Sequence, residues 1–191
     1  MRHARAWGVM VVVLAGVLPA AAQTAEQNQR IASGETVTWV EGAAALKTCV
    51  AIGLIDCPPE KVYRAMTDYA HYPQVFHLLS TAQILHRSGN TITVHYTMSP
   101  PWPLTQRVVT TLTTLDEAHH AIHFRQIDGN VKTYEGDMIA APWGNHKTRF
   151  TYRTRVDPGI AFLPNWAITW GTRVSLPGVV RDLGNYARHL P

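Results

Sequence analysis

The chain has 191 residues, with 17 Lys+Arg against 13 Asp+Glu and a formal net charge of +4. That length suits one domain with enough chain to bury a core or enclose a cavity. The basic excess is scattered, with no Lys/Arg run to track a phosphate backbone, which argues against nucleic acid as a partner.

Arg2 and Arg5 open the chain, an apolar run follows from Trp7 to Leu18, and Ala20-Ala21-Ala22 supplies small residues at its end. This is the pattern of a secretory signal peptide cut before Gln23, so a periplasmic or secreted protein is expected. The competing reading is a membrane anchor, but a dozen or so apolar residues fall short of the about 20 that a bilayer needs. No cysteine sits at the cut, so a lipid-anchored form is not suggested. Removing residues 1–22 leaves 169 residues, with 15 basic and 13 acidic side chains and a net charge of +2.

Residues 23–35 are polar and aperiodic and read as a flexible leader, with the domain proper at 36–191. Thr36 to Ile55 is rich in Val, Thr, Leu and Ile and reads as one or two strands, with Gly42 and Gly53 marking bends or bulges. Cys49 and Cys57 lie eight residues apart on a strand running into a helix. Extended chain covers about 3.3 Å per residue and a disulfide needs Cα atoms within about 7 Å, so two buried thiols are expected. Asp56 or Cys57 before Pro58-Pro59-Glu60 then starts a helix, with Val62, Ala65, Met66 and Tyr69 on one apolar face. Pro73 is expected to break it, giving a second short helix near 74–78.

From there the period changes to that of strands. Thr81–His86, Thr91–Met98, Arg107–Leu115, Ala121–Ile127, Val131–Ala140 and Lys147–Val156 are each rich in β-branched or aromatic residues and are separated by short turn sequences. Most of these connectors are short enough for an antiparallel meander. Asn165 to His189 returns to helical spacing through Trp166, Trp170, Val174, Val180, Leu183 and Ala187, with Pro177 and Gly178 expected to bend it. The fold class is therefore α+β. A curved antiparallel sheet of about seven strands must wrap around the one long C-terminal helix, a helix-grip arrangement, because that helix is the main cover available for one sheet face. A sheet curled around a single helix leaves an apolar gap suited to a lipophilic molecule.

The stretch Pro58-Pro59-Glu60-Lys61-Val62-Tyr63, followed by Thr67-Asp68-Tyr69-Ala70-His71-Tyr72-Pro73, resembles the opening helix of the START-like (SRPBCC) superfamily. That group includes polyketide cyclases, coenzyme Q-binding proteins and START lipid-transfer domains. Pro101-Trp102-Pro103-Leu104-Thr105-Gln106-Arg107 is similar to the tryptophan-proline-leucine turn and arginine of the START branch, although Gln106 and Val108 stand where acidic residues are common. The run from Pro158 through Pro164-Asn165-Trp166 to Leu176-Pro177 resembles the start and bend of the last helix in these proteins. The resemblance covers about residues 45–190 and implies a cavity for a sterol, phospholipid, quinone or aromatic polyketide, with no fixed catalytic set and no cofactor.

The resulting expectation is a carrier of a hydrophobic small molecule or lipid with transient contact to a membrane surface. The alternative is a cyclase- or aromatase-like enzyme. Trp166, Trp170 and Val174 form one stripe of the last helix and are expected to roof the cavity. Trp102 and Arg107 belong to the START-like turn, and Arg107 is a candidate for a polar head. Tyr96, Met98, Phe124, Met138, Phe150 and Tyr152 fall on even positions of their strands and share an inward face by alternation. Arg149, Arg153 and Arg155 take the opposite, solvated face. His95, Glu135 and Asp137 would be the acid–base groups of an enzyme, with both carboxylates on the outer face of their strand. His119, His120 and His123 are the one histidine cluster, but a strand sends neighbours to opposite faces and no metal site is expected.

Overall fold

The structure, a computed structural model, describes residues 24–41, 48–100, 105–160 and 175–191. The stretch expected as a flexible leader instead holds helix α1 (Ala25–Ala32). Thr24 Oγ1 accepts from the Gln27 amide at 3.1 Å while the Gln27 side chain accepts from the Thr24 amide at 2.9 Å, a reciprocal capping box. Its single buried residue, Ile31, packs with Val37, Val50 and Ile52, flanked by Trp39 and Leu54.

Those partners belong to β1 (Val37–Glu41) and β2 (Thr48–Ile55), into which the expected Thr36–Ile55 region divides. They pair antiparallel from Val37↔Ile52 to Glu41↔Thr48. With β3 (Leu79–Ser88), β4 (Thr91–Met98), β5 (Arg107–Asp116), β6 (Ala121–Gly129), β7 (Thr133–Trp143) and β8 (Lys147–Asp157), the sheet has eight strands rather than seven. Its order is β1-β2-β8-β7-β6-β5-β4-β3, a meander closed back onto the first hairpin by the β2–β8 pairing. Because α1 covers the outer face of β1 and β2, β2 is apolar on both faces, which is why TCVAIGLI shows no alternation.

Helix α2 (Pro59–Thr67) begins one step later than a cap at Asp56 or Cys57 would place it. A residue preceding proline is driven to extended backbone, so Pro58 (ψ 151°) takes the cap position and Pro59 opens the helix. Thr148 Oγ1 donates to the Cys57 carbonyl at 2.7 Å, tying β8 to this junction. The helix stops at Asp68, followed by a single 3-10 turn (Tyr69–His71) and α3 (Tyr72–Val75). Pro73 lies in the first turn of α3, where its missing amide does no harm, so the break precedes it. The C-terminal helix α4 runs Leu176–His189 with Pro177 and Gly178 in its first turn. Trp102, Trp166, Trp170 and Val174 lie outside the described residues, as does the signal sequence.

At one end of the sheet the concave face is solid. Ile55, Val62, Met66, Phe150, Leu183 and Ala187 are each at most 1 % exposed there. Gly53, expected as a bend, lies in regular pairing with Phe150 and serves close approach instead. A Cβ at Gly53 would stand 2.8 Å from both Val180 Cγ1 and Thr36 Oγ1, so its absence lets α4 settle on β2. Leu183→Ala should lower the unfolding free energy by about 2–5 kcal/mol, the range for emptying a core leucine site. Urea unfolding of the variant beside the parent checks this.

Candidate functional site

At the other end of the sheet α4 and the strands part around a cavity of about 620 Å³. That is within the about 300–1,000 Å³ typical of small-molecule sites. Its walls come from the first turns of α4, the α3–β3 segment, and β2 and β4–β8. Pro100, Thr105, Ile160 and Ser175, which flank the undescribed segments 101–104 and 161–174, are on its rim.

Alternation places the expected side chains well. Tyr96, Met98, Phe124, Met138 and Tyr152 all line the cavity, and Arg107 stands on the wall where β5 begins. Phe150 is the exception. It shares the inward face but pairs with Gly53 and Ala140 at the solid end, where those small neighbours leave its ring room in the core, so it is not a cavity residue. Strand parity gives the face but not the distance along the strand at which packing stops.

Four tyrosines line the cavity: Tyr72, Tyr96, Tyr134 and Tyr152. Burial pushes all four phenols above their ordinary pKa, so they remain neutral donors and acceptors. Tyr72 donates to the Met66 carbonyl at 2.5 Å, while the Tyr134 and Tyr152 oxygens stand 3.4 Å apart. Thr111, Thr113 and Thr154 add hydroxyls to an otherwise apolar wall. The threonines of β5 were not legible as lining residues, because Thr110, Thr111, Thr113 and Thr114 put hydroxyls on both faces and erase the alternation. Tyr72 was missed because it enters from a helical turn rather than a strand.

The Phe124 ring centroid is 5.0 Å from Tyr134, at a 32° tilt, and 6.4 Å from Tyr152. Gly136 makes room for it, since a Cβ there would come within 2.9 Å of Phe124 Cζ and 2.0 Å of the Arg153 carbonyl oxygen. The second contact is with backbone and has no cheap relief.

The acidic and basic side chains among the described lining residues are His77, Arg107, Asp157 and Asp182. Asp157 receives the Gly159 amide at 2.9 Å and Lys132 at 3.3 Å, which hold its carboxyl below the usual range. Asp182 meets Arg181 at 2.9 Å and His77 at 3.6 Å. Arg107 donates to Thr105 Oγ1 at 2.6 Å and to the Gln106 carbonyl at 3.4 Å, neither of them a carboxylate.

The remaining expected groups face elsewhere. Arg153 pairs with Glu41 at 3.0 Å and Arg155 with Glu135 at 2.9 Å, on the outer face. His95 Nδ1 is 2.9 Å from Thr110 Oγ1, and burial raises the Asp137 carboxyl against the opposing pull of Arg153 and His123. None of His95, Glu135 and Asp137 lines the cavity. His119 pairs with Asp116 at 2.7 Å, His120 packs 5.6 Å from the Tyr63 ring and His123 sits 3.9 Å from Asp137. Among the described residues no three metal-binding side chains converge. No disulfide joins Cys49, on the cavity wall, to the buried Cys57.

A family signature described as polyketide cyclase / dehydrase and lipid transport matches residues 53–188. The chain belongs to this family. The matched span covers α2, α3, β3–β8 and α4, every element that walls the cavity except the first strands. Human STARD10 superposes with a TM-score of 0.67 at 16% identity, over 92% of this chain and 84% of that one. A STAR-related lipid transfer protein from Xanthomonas axonopodis gives 0.65 at 16% identity, over 80% and 93%. The Zhui aromatase/cyclase from Streptomyces sp. R1128 gives 0.64 at 16% identity, over 75% and 94%. At this identity the likeness is one of fold, and it is the START-like helix-grip fold. No curated protein sequence matches.

Two predictions follow from this geometry. Gly136→Ala should destabilise the protein by about 1–3 kcal/mol, because its Cβ meets the Arg153 backbone; differential scanning calorimetry reads the loss. The second concerns the clasp between α4 and the end of α2, where Tyr186 donates to Asp68 Oδ2 at 2.5 Å and His71 Nδ1 lies 2.8 Å from Oδ1. Burial alone would raise the Asp68 carboxyl, but these two hydrogen bonds outweigh it and hold the carboxyl below its ordinary value. A depressed folded pKa stabilises above the unfolded value of about 3.9 and loses that contribution as pH falls through the folded value. Tyr186→Phe should therefore cost about 1 kcal/mol at pH 7, with the gap to the parent narrowing below about pH 4 in urea unfolding.

Proposed function

We propose that this protein is an exported carrier that holds one hydrophobic small molecule or lipid between α4 and the sheet. The observation that carries the reading is a cavity of about 620 Å³ lined mainly by aromatic and apolar side chains. Such a wall lowers the free energy of an apolar molecule by about 25 cal/mol for each Å² it removes from water. The family description, which names lipid transport, supports the same reading. Export rests on Arg2, Arg5, the Trp7–Leu18 run and Ala20-Ala21-Ala22. From the sequence alone we assign Trp102, Trp166, Trp170 and Val174 to ligand contact, and Arg107 of the cavity wall to a polar group of the ligand. The rim is also the part that touches a membrane surface during loading.

Organic extract of the protein, purified without detergent from its own host's exported fraction, should yield one stoichiometric hydrophobic compound by mass spectrometry. An empty extract, together with turnover of an added polyketide-like substrate, would replace the carrier by the cyclase-type enzyme. Met138→Trp should fill the cavity from β7 and abolish loading while the far-UV circular dichroism spectrum is kept. Trp170→Ala should weaken loading without unfolding the protein, and unchanged loading would remove that residue from the roof.

A further inference from the structure

The sheet comes apart between β6 and β7 beside the cavity. The two strands pair from Ala121↔Ile139 only as far as Arg125↔Glu135. Beyond that β6 follows β5 to Gly129↔Val109, while β7 joins β8 from Thr133↔Asp157. A β-bulge starts the parting. Thr111 pairs with Gln126 and Thr110 with Asp128, so Ile127 is an extra residue that bends β6 away. Both lips of the gap are pinned to their outer neighbours. Gly129 (φ 133°) lies so close to β5 that a Cβ would stand 2.2 Å from the Val108 carbonyl oxygen. Asn130 exchanges two hydrogen bonds with the Val108 backbone, at 2.8 and 2.9 Å, and the Lys132 amide donates to the Asp157 carbonyl at 2.8 Å.

The gap is polar where the cavity is mainly apolar. A surface pocket of about 220 Å³ lies at it, lined by Gln126, Ile127, Lys132, Thr133, Tyr134 and Glu135. Tyr134 belongs to the cavity wall as well. Gln126 Nε2 donates at 2.8 Å to the carbonyl of Val131, another cavity residue, which fixes the orientation of the amide. Its Oε1 is left buried and without a donor. A buried acceptor is unfavourable in that state, and in a polar pocket of this size water supplies the donor.

A cavity of about 620 Å³ gives up on the order of twenty waters, at about 30 Å³ each, when an apolar molecule fills it. A ligand entering between α4 and the sheet obstructs the path by which that water would leave. Resting on the carrier reading above, we infer that the β6–β7 gap is a second opening of the cavity, gated by Gln126 and passed by water and other small polar solutes. Water leaves through it as the ligand enters and returns through it as the ligand departs. Lys132, Thr133 and Glu135 make the same route unfavourable for the apolar ligand, which would strip them of water.

Such an opening acts on the barrier to exchange and not on the bound state, so association and dissociation rates move together. Stopped-flow fluorescence with N-phenyl-1-naphthylamine, an uncharged apolar dye, reads both rates on the full chain. Gln126→Ala removes the gate and should raise both rates by about tenfold with Kd unchanged. Thr133→Trp fills the surface pocket and should lower both, again with Kd unchanged. Thermal melts establish that each variant is folded, and either variant suffices if the other melts early. Parent-like rates in a folded variant, or a changed Kd carried by the dissociation rate alone, would overturn the second opening and leave the hydrophobic cavity standing. No binding of the dye by the parent, with no compound in the organic extract, would overturn the carrier reading and the opening with it.

Discussion

Much of this molecule follows from where α4 presses against β2. The helix approaches closely at Gly53, where a Cβ would collide with Val180, and again at Gly184, whose Cβ would sit 3.3 Å from Ile55. Leu183 and Ala187 then close the core against Met66 and Val62 of α2. One helix cannot lie tightly against every part of a curled eight-stranded face. Among the described residues α4 packs tightly at one end of the sheet, and the cavity lies where its first turn meets the strands.

The two ends differ in residue chemistry as well as in packing. The solid end is built from aliphatic and sulfur side chains with Phe150, which fill space without needing partners. The open end concentrates Tyr72, Tyr96, Tyr134, Tyr152 and three threonines, hydroxyl groups that a dry core would tolerate only in pairs. Placing them around a cavity brings hydroxyls within reach of a bound molecule. The Glu41–Arg153 and Glu135–Arg155 pairs lie on the outer face, and Lys132 pairs with Asp157 of the cavity lining. The more exposed of these, Glu135–Arg155 and Lys132–Asp157, contribute little to stability.

The outer face at β1 and β2 has its own cover. Helix α1 is short and polar, and its one buried side chain, Ile31, is enough to dock it because the capping box supplies the local order. Its Thr24…Gln27 signal stood in the sequence, but a search for apolar periodicity passes over a helix with a single anchoring residue. The same search found α2 and the last turns of α4 because Val62, Ala65 and Met66, and then Val180, Leu183 and Ala187, repeat at helical spacing.

The sequence by itself determined the order of the elements after α1, the α+β helix-grip class and which face of β4, β6, β7 and β8 turns inward. Those depend on local period and on side chains alternating across a strand, which neighbours along the chain settle between them. Only the tertiary structure decided that Phe150 belongs to the core while Tyr152, two residues on, belongs to the cavity. It also decided that Thr111 and Thr113 face inward, that Gly53 serves a helix contact rather than a bend, and that the Tyr134 and Tyr152 hydroxyls meet at 3.4 Å. Each depends on how far one element reaches across another, a distance set by packing between segments remote in the chain and written in no local pattern.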